Sequence, residues 1–214
     1  DFYRVEKKTR KTKNDGAWMN FPSVSLFSST ANADLTKFFK RMGCEASTNA
    51  YSITGSTPLV DSLLSVRYAL YSEYIPNTDL VNYIQESGGT YLYENLYTLP
   101  LGFVLPYDLA DNWQYQMENP AEVQNDLCLL LGTDDVLVPV ETEVSGSGCT
   151  FTADMAGEYY VYIQNKKVKN VKASLPSGEK NFSNVDRGYL LEMGNLSEGS
   201  RITLTPGESG ETLT

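Results

Sequence analysis

"LCLLLGTDDVLVPVETEV", residues 127–144, holds the change of texture that decides the fold. Before Gly132 the apolar residues keep a helical spacing. Val123, Leu127, Leu130 and Leu131 share one stripe, and Gly132 supplies a stop. Beyond it no helical period survives. Short alternating runs follow instead: "VLVPVETEV" at 136–144, "CTFTAD" at 149–154, "EYYVYIQ" at 158–164, "VKNVKASL" at 168–175, "GYLLEMG" at 188–194 and "SRITLTP" at 200–206. Gly, Ser, Asn and Pro separate them, which is the pattern of an antiparallel β-sandwich. The expected fold class is α+β. A mixed α/β domain is expected over 1–132 and a β-sandwich domain over 133–214.

Upstream of the quoted stretch, a helix is expected to start at Asn119-Pro120, with Glu122 placed three residues after the Asn as in a capping box. "YLYENLYTLPLGFVLP", 91–106, reads as a hairpin whose turn lies around Pro100 and Gly102. Residues 79–87 read as a helix ended by Gly88-Gly89, and 66–74 as a strand. A helix begins at Thr57-Pro58, with Leu59, Val60, Leu63 and Leu64 on its buried face. Another covers 33–42, where Leu35, Phe38, Phe39 and Met42 recur at i, i+3, i+4 and i+7 before Gly43. Residues 1–8 and 23–29 read as strands.

The 214 residues carry a net charge of −10, unevenly laid out. Arg4, Lys7, Lys8, Arg10, Lys11 and Lys13 crowd the first 13 positions. Between Arg67 and Lys166 there is no Lys or Arg but there are 15 Asp and Glu. No concentrated basic face of the kind nucleic acid requires is predicted. The sequence has no histidine, and its three cysteines, Cys44, Cys128 and Cys149, are far apart. Zinc sites of the usual Cys/His type, Ser-His-Asp triads and Cys-His dyads are excluded together. No apolar run approaches the roughly 20 residues of a membrane helix. The chain opens on strand-like "DFYRVE" without a secretory leader pattern, which points to a segment cut from something longer.

"VSGSGC" at 144–149 lacks the nucleophile elbow and the P-loop lysine and reads as a flexible turn. Asp108 and Asp111 in "DLADN", with Asp134 and Asp135 in "GTDDV", are oxygen ligands of the type calcium takes. Neither phrase has the ligand alternation of an EF-hand loop, and turn chemistry is the cheaper account. "KKVKNVK" at 166–172 reads as a solvated strand edge guarded by lysines. Trp18, Trp113 and the tyrosines have the flat apolar faces that stack on sugar rings, although tyrosine is equally a strand-packing residue. No catalytic residue, cofactor or metal ligand is assigned, and the ligand-binding residues are left open.

Seven phrases occur in a specific order: "KNDG" at 13–16, "SLFSSTAN" at 25–32, Gly55, "LLSVRYAL" at 63–70, "YLYEN" at 91–95, "LPLGFV" at 99–104 and "ENPAEVQNDL" at 118–127. The series resembles the extracytoplasmic segment of the YfhO family of bacterial multi-pass membrane proteins, most fully over 1–131. Where the family places a glycine before its strand, this chain has Ser65. The resemblance implies an external domain on the extracytoplasmic face of the bacterial cell membrane, inactive alone. Its parent would be a glycosyltransferase-like protein that uses polyprenyl-phosphate sugars to decorate lipoteichoic acid or similar envelope polymers. Partners would be the transmembrane portion of its own chain and a lipid-linked sugar or cell-wall polymer. The alternative is an independent carbohydrate- or polymer-binding surface module. Under this reading Glu94 and Asn95 hold a turn or a contact between elements, and the bases of 4–13 face an anionic membrane or a donor phosphate.

Overall fold

The computed structural model describes residues 2–213. In chain order, the first part holds β1 (Arg4–Lys7), α1 (Asp15–Met19), β2 (Leu26–Phe27), α2 (Ala33–Arg41), β3 (Ala46–Ser47), β4 (Ala50–Tyr51) and α3 (Pro58–Leu63). It continues through β5 (Val66–Tyr71), β6 (Val81–Ser87), β7 (Thr90–Asn95), α4 (Leu109–Asn112) and α5 (Pro120–Leu130). The second part holds β8 (Thr142–Ser145), β9 (Gly148–Thr152), β10 (Gly157–Val161), β11 (Asn170–Leu175), β12 (Gly178–Ser183), β13 (Leu191–Leu196) and β14 (Arg201–Pro206). Its one helical turn is of the 3-10 type, at Val185–Arg187.

Three of the four expected helices form. Asn32 starts α2 by accepting from the N–H groups of Asp34 and Leu35, and Gly43 follows its end with φ at 80°. Thr57 caps α3, with Pro58 in the first helical position. Asn119 caps α5 by accepting from Ala121 N–H at 3.0 Å. The capping box is incomplete, because Glu122 accepts from the side-chain amide of Asn119 (3.3 Å).

The expected helix over 79–87 is a strand, β6. Val81, Tyr83 and Ile84 are β-formers, and the Gly pair read as a helix stop is a two-residue hairpin turn. Gly88 and Gly89 both have positive φ, 57° and 74°, as a type I′ turn requires. The turn pairs β6 with β7, so the expected hairpin over 91–106 exists only in its first arm; no strand follows Asn95 before Leu109. Pro100 and Gly102 lie in irregular backbone. The expected strands also shrink: 23–29 to Leu26–Phe27, 66–74 to Val66–Tyr71, and 136–144 to a strand that begins only at Thr142.

A mixed sheet in the order β1-β5-β7-β6 forms the first platform, with β1 parallel to β5 and the rest antiparallel. A small sheet, β2-β4-β3, lies beside α2. The core here gathers Phe39, Met42, Val60, Val123 and Leu127. In the second part, an antiparallel sheet β12-β11-β14-β9-β8 and the pair β10-β13 share one apolar core containing Phe151, Tyr159, Ala173, Leu191, Met193 and Leu204. This is the antiparallel β-rich region that the alternating runs predict. "KKVKNVK" is not a sheet edge. β11 pairs on both sides, with β12 and β14, and Val168 just before it is fully buried. The strand that does sit at that edge, β12, is absent from the alternation reading: its "GEKNFS" has almost no apolar residue and is mostly exposed.

The two parts meet at a crevice of glycines. Leu190 donates its N–H to Gly43 O at 2.8 Å, and Gly55 N–H donates to Glu192 Oε1 at 2.7 Å. A Cβ on Gly55 would stand 2.4 Å from Gly43 O and 2.7 Å from Leu190 O, and its φ is 83°. Only glycine fits both the conformation and the gap.

Candidate functional site

The family-like phrases prove to be fasteners. Asn14 donates from Nδ2 to Phe27 O at 3.0 Å and accepts from Phe27 N–H at 2.8 Å, so its amide completes a one-residue ladder between "KNDG" and "SLFSSTAN". Asp15 accepts from the N–H groups of Lys11 and Thr12 and from the Thr12 hydroxyl. Gln124, wholly buried, accepts from the Thr57 hydroxyl at 2.5 Å and donates to Met42 O at 2.9 Å, tying α5 to α3 and the end of α2. Asn125 repeats the ladder of Asn14 with Leu137, at 2.8 and 3.0 Å. Each amide satisfies backbone groups where no regular element can.

Four of the six N-terminal bases, Lys7, Lys8, Arg10 and Lys13, are engaged with carboxylates in the same way, while Lys11 is exposed. Lys8 meets Asp61 at 3.3 Å and the Ser56 hydroxyl at 3.1 Å. Burial works against its charge, but Asp61 and Glu192 outweigh it and hold the ammonium well above its ordinary pKa. Lys7 pairs with Asp15 at 3.6 Å, and Arg10 donates to the Thr54 hydroxyl. Lys13 (3.0 Å), Arg10 (3.9 Å) and Arg187 of the second part converge on Glu45. Desolvation pushes the Glu45 carboxyl up, and these three cations more than reverse it, leaving the pKa lowered. Glu6, on β1, is buried and accepts from the N–H groups of Val24 and Ser25 and from the Ser25 hydroxyl. Desolvation dominates there and the pKa is raised.

The other sequence candidates scatter. Trp113 is structural: its indole N–H donates to Val123 O at 2.9 Å and its ring packs on Tyr115. Trp18 is 84% exposed on α1. Tyr71, Tyr74, Tyr83, Tyr91 and Tyr93 pack edge to face around the β5-β7-β6 hairpin, with Tyr93 Oη bonded to Ile75. Asp108 and Asp111 belong to the turn and first residues of α4. Among the described residues no group of three or more Asp, Glu, Cys or His stands ready for a metal. The cysteines are free thiols, and burial raises the pKa of each.

One cleft, of about 460 Å³, opens beside the end of β7. Phe2 and Tyr3, Leu96, Thr98, Leu99, Pro100 and Leu101 line it together with the polar side chains of Arg67, Glu94 and Asn95. Arg67 Nε donates to Glu94 Oε1 at 2.9 Å across β5 and β7, and its guanidinium lies over the Tyr68 ring. That hydrogen bond is the main cause of the raised Arg67 pKa. Asn95 Nδ2 donates to Val66 O at 2.7 Å, and Thr98 Oγ1 donates to Asn95 O. Glu94 and Asn95 thus make contacts between β7 and β5 and also line the cleft. A guanidinium, a carboxylate and aromatic faces side by side suit a hydroxyl-rich or anionic ligand. No nucleophile with a neighbouring base lines it. No sequence signal announced this cleft: Arg67 comes from "LLSVRYAL", Glu94 and Asn95 from "YLYEN", and Leu99, Pro100 and Leu101 from "LPLGFV", and the sheet pairing brings them together with Phe2 and Tyr3.

Residues 1–141 match the model of a protein family described as bacterial membrane protein YfhO. No curated protein and no solved structure matches the chain. Among the described residues no helix is long and apolar enough to cross a membrane.

Proposed function

The chain belongs to the YfhO family of bacterial membrane proteins, and from that premise we propose that it is an accessory region on the extracytoplasmic side of a glycosyltransferase-like parent. In this reading the reaction belongs to a membrane-embedded portion. The present chain seats the acceptor, an envelope polymer of the lipoteichoic acid type, or the sugar of a lipid-linked donor. The observation that carries the reading is the cleft at the end of β7, lined by residues of three phrases of the resemblance, "LLSVRYAL", "YLYEN" and "LPLGFV". Arg67 and Glu94 supply a cation and a carboxylate for phosphate and hydroxyl groups, while Tyr3 and Phe2 supply apolar faces.

The test is sugar transfer from a polyprenyl-phosphate donor by membranes that contain the parent. Arg67→Ala and Glu94→Gln are expected to raise the acceptor KM about tenfold with kcat little changed, the signature of lost ground-state binding. Unchanged kinetics in both variants would refute the reading. Binding of polymer by the isolated chain, weakened by the same substitutions while transfer is unaffected, would instead establish an independent carbohydrate-binding module. The isolated chain is expected to turn over no nucleotide-sugar, polyprenyl-sugar or aryl-glycoside substrate.

A further inference from the structure

We infer that the segment Leu96–Tyr107, with Phe2 and Tyr3 beside it, is a lipid-facing loop that inserts into the interfacial layer of a bilayer. Its sequence, "LYTLPLGFVLPY", contains no Asp, Glu, Lys or Arg. It has no helix or strand, and ten of its twelve residues are exposed, including Leu96, Tyr97, Leu101, Phe103, Val104, Leu105 and Tyr107. Val104 is 97% exposed and Leu101 59%. Isolated apolar side chains at a surface need no explanation, but a contiguous patch of this kind marks an interaction site.

The loop is held out, not left loose. At one end Leu96 N–H donates to Leu80 O (2.9 Å) and Leu99 N–H to Ser62 O (3.2 Å). At the other end Leu109 N–H donates to Pro106 O, and the Leu109 side chain is buried in the first core. Between these anchors Pro100 and Pro106 limit the backbone. Tyr97 and Tyr107 flank Leu101, Phe103, Val104 and Leu105, the order of an interfacial anchor, where amphipathic rings sit at headgroup level and aliphatic groups go deeper. Phe2 and Tyr3 are also exposed and share the cleft with Leu96, Leu99 and Leu101, which widens the apolar face.

A bilayer is the occupant favoured over a second copy or another protein for two reasons. The family is one of membrane proteins, so a membrane is always at hand. The loop also offers no charge for a protein partner to pair, whereas four of the six N-terminal bases expected to meet anionic lipid are committed to Asp15, Glu45 and Asp61. Attachment is therefore apolar and insensitive to salt. The inference rests on the membrane-associated part of the proposed function and places the cleft mouth at the lipid surface.

The experiment is co-sedimentation of the chain with neutral phosphatidylcholine vesicles. Wild type is expected to bind equally at low and high salt. The triple variant Leu101→Asp, Phe103→Asp, Val104→Asp is expected to lose at least about tenfold in binding. A control carrying Leu129→Asp and Val138→Asp, exposed apolar residues outside the loop, should bind as wild type. As a second readout, a Val104→Trp variant should shift its fluorescence to the blue on adding vesicles and a Val138→Trp variant should not. Four results would overturn the inference: no binding to neutral vesicles, binding retained by the triple variant, binding only to anionic vesicles with loss in salt, or a dimer abolished by the triple variant without vesicle binding. Such a failure leaves any kinetic defect of Arg67→Ala and Glu94→Gln standing, so the two ideas fall separately.

Discussion

Residues 4–13 and residues 96–107 are opposites in composition, and the structure places each against its composition. The first segment carries six of the chain's 17 bases, yet most of their charge is turned inward onto Asp15, Glu45 and Asp61. The second carries no charged side chain and stands in solvent. Charge on a segment does not place it outside when carboxylates with fixed geometry await it, because a paired, hydrogen-bonded ion tolerates burial. Apolar character likewise does not place a segment inside when its two ends are anchored, one by backbone bonds to Leu80 and Ser62 and the other by the buried Leu109. Position follows from the partners the fold supplies.

The largest expected effect attacks the buried side of this contrast. Lys8→Met should destabilise the chain by about 3 kcal/mol in urea unfolding, because Asp61 is left without its cation in a largely enclosed place. Lys11→Gln, at an exposed base, should change stability by less than about 0.5 kcal/mol. If both cost the same, the pairing account of the N-terminal segment is wrong.

Next in size is Glu45→Gln, expected to cost about 2 kcal/mol by leaving Lys13, Arg10 and Arg187 without a counter-charge. Because the folded Glu45 carboxyl lies below its ordinary value of 4.5, its contribution is present above that value and is lost as pH falls through the folded pKa. Asp15 is lowered as well: burial opposes the charge, but the Lys11 and Thr12 N–H groups and Lys7 outweigh it. Glu6 is raised and acts in the opposite direction, losing stability as pH rises through its folded value. Stability curves of wild type and Glu45→Gln should therefore converge as pH falls through the lowered folded pKa of Glu45. A constant gap at all pH values would exclude the ion cluster as its source.

A smaller, favourable effect is expected at Ser65, a buried residue just before β5. Its φ is 55°, a left-handed conformation that costs a non-glycine residue. Ser65→Gly should stabilise the chain by about 0.5–1 kcal/mol, net of the entropy glycine adds to the unfolded state. A loss of stability would mean that the buried serine makes up for its strain. The smallest effect belongs to the exposed segment. Val104→Asp should leave the unfolding midpoint within about 0.5 kcal/mol of wild type, and a larger loss would show that the loop packs into the fold after all.

Local signals in the sequence determined the local structures that depend on one cap or one period. Thr57-Pro58 and Asn119-Pro120 begin helices because a side-chain oxygen or a proline serves the first turn whatever surrounds it. The alternation after Gly132 marks strands because half of each must face a core. What failed locally was decided by pairing. The stretch 79–87 is a strand because Gly88-Gly89 turns it onto β7, and a pair of glycines serves a helix stop or a type I′ turn equally well until a partner strand exists. The irregular path of 96–107, the internal use of the N-terminal bases and the cleft at Arg67 and Glu94 were the work of tertiary structure alone. Each depends on groups dozens of residues apart, such as Lys8 with Asp61 and Leu99 with Ser62, whose distances no local pattern encodes.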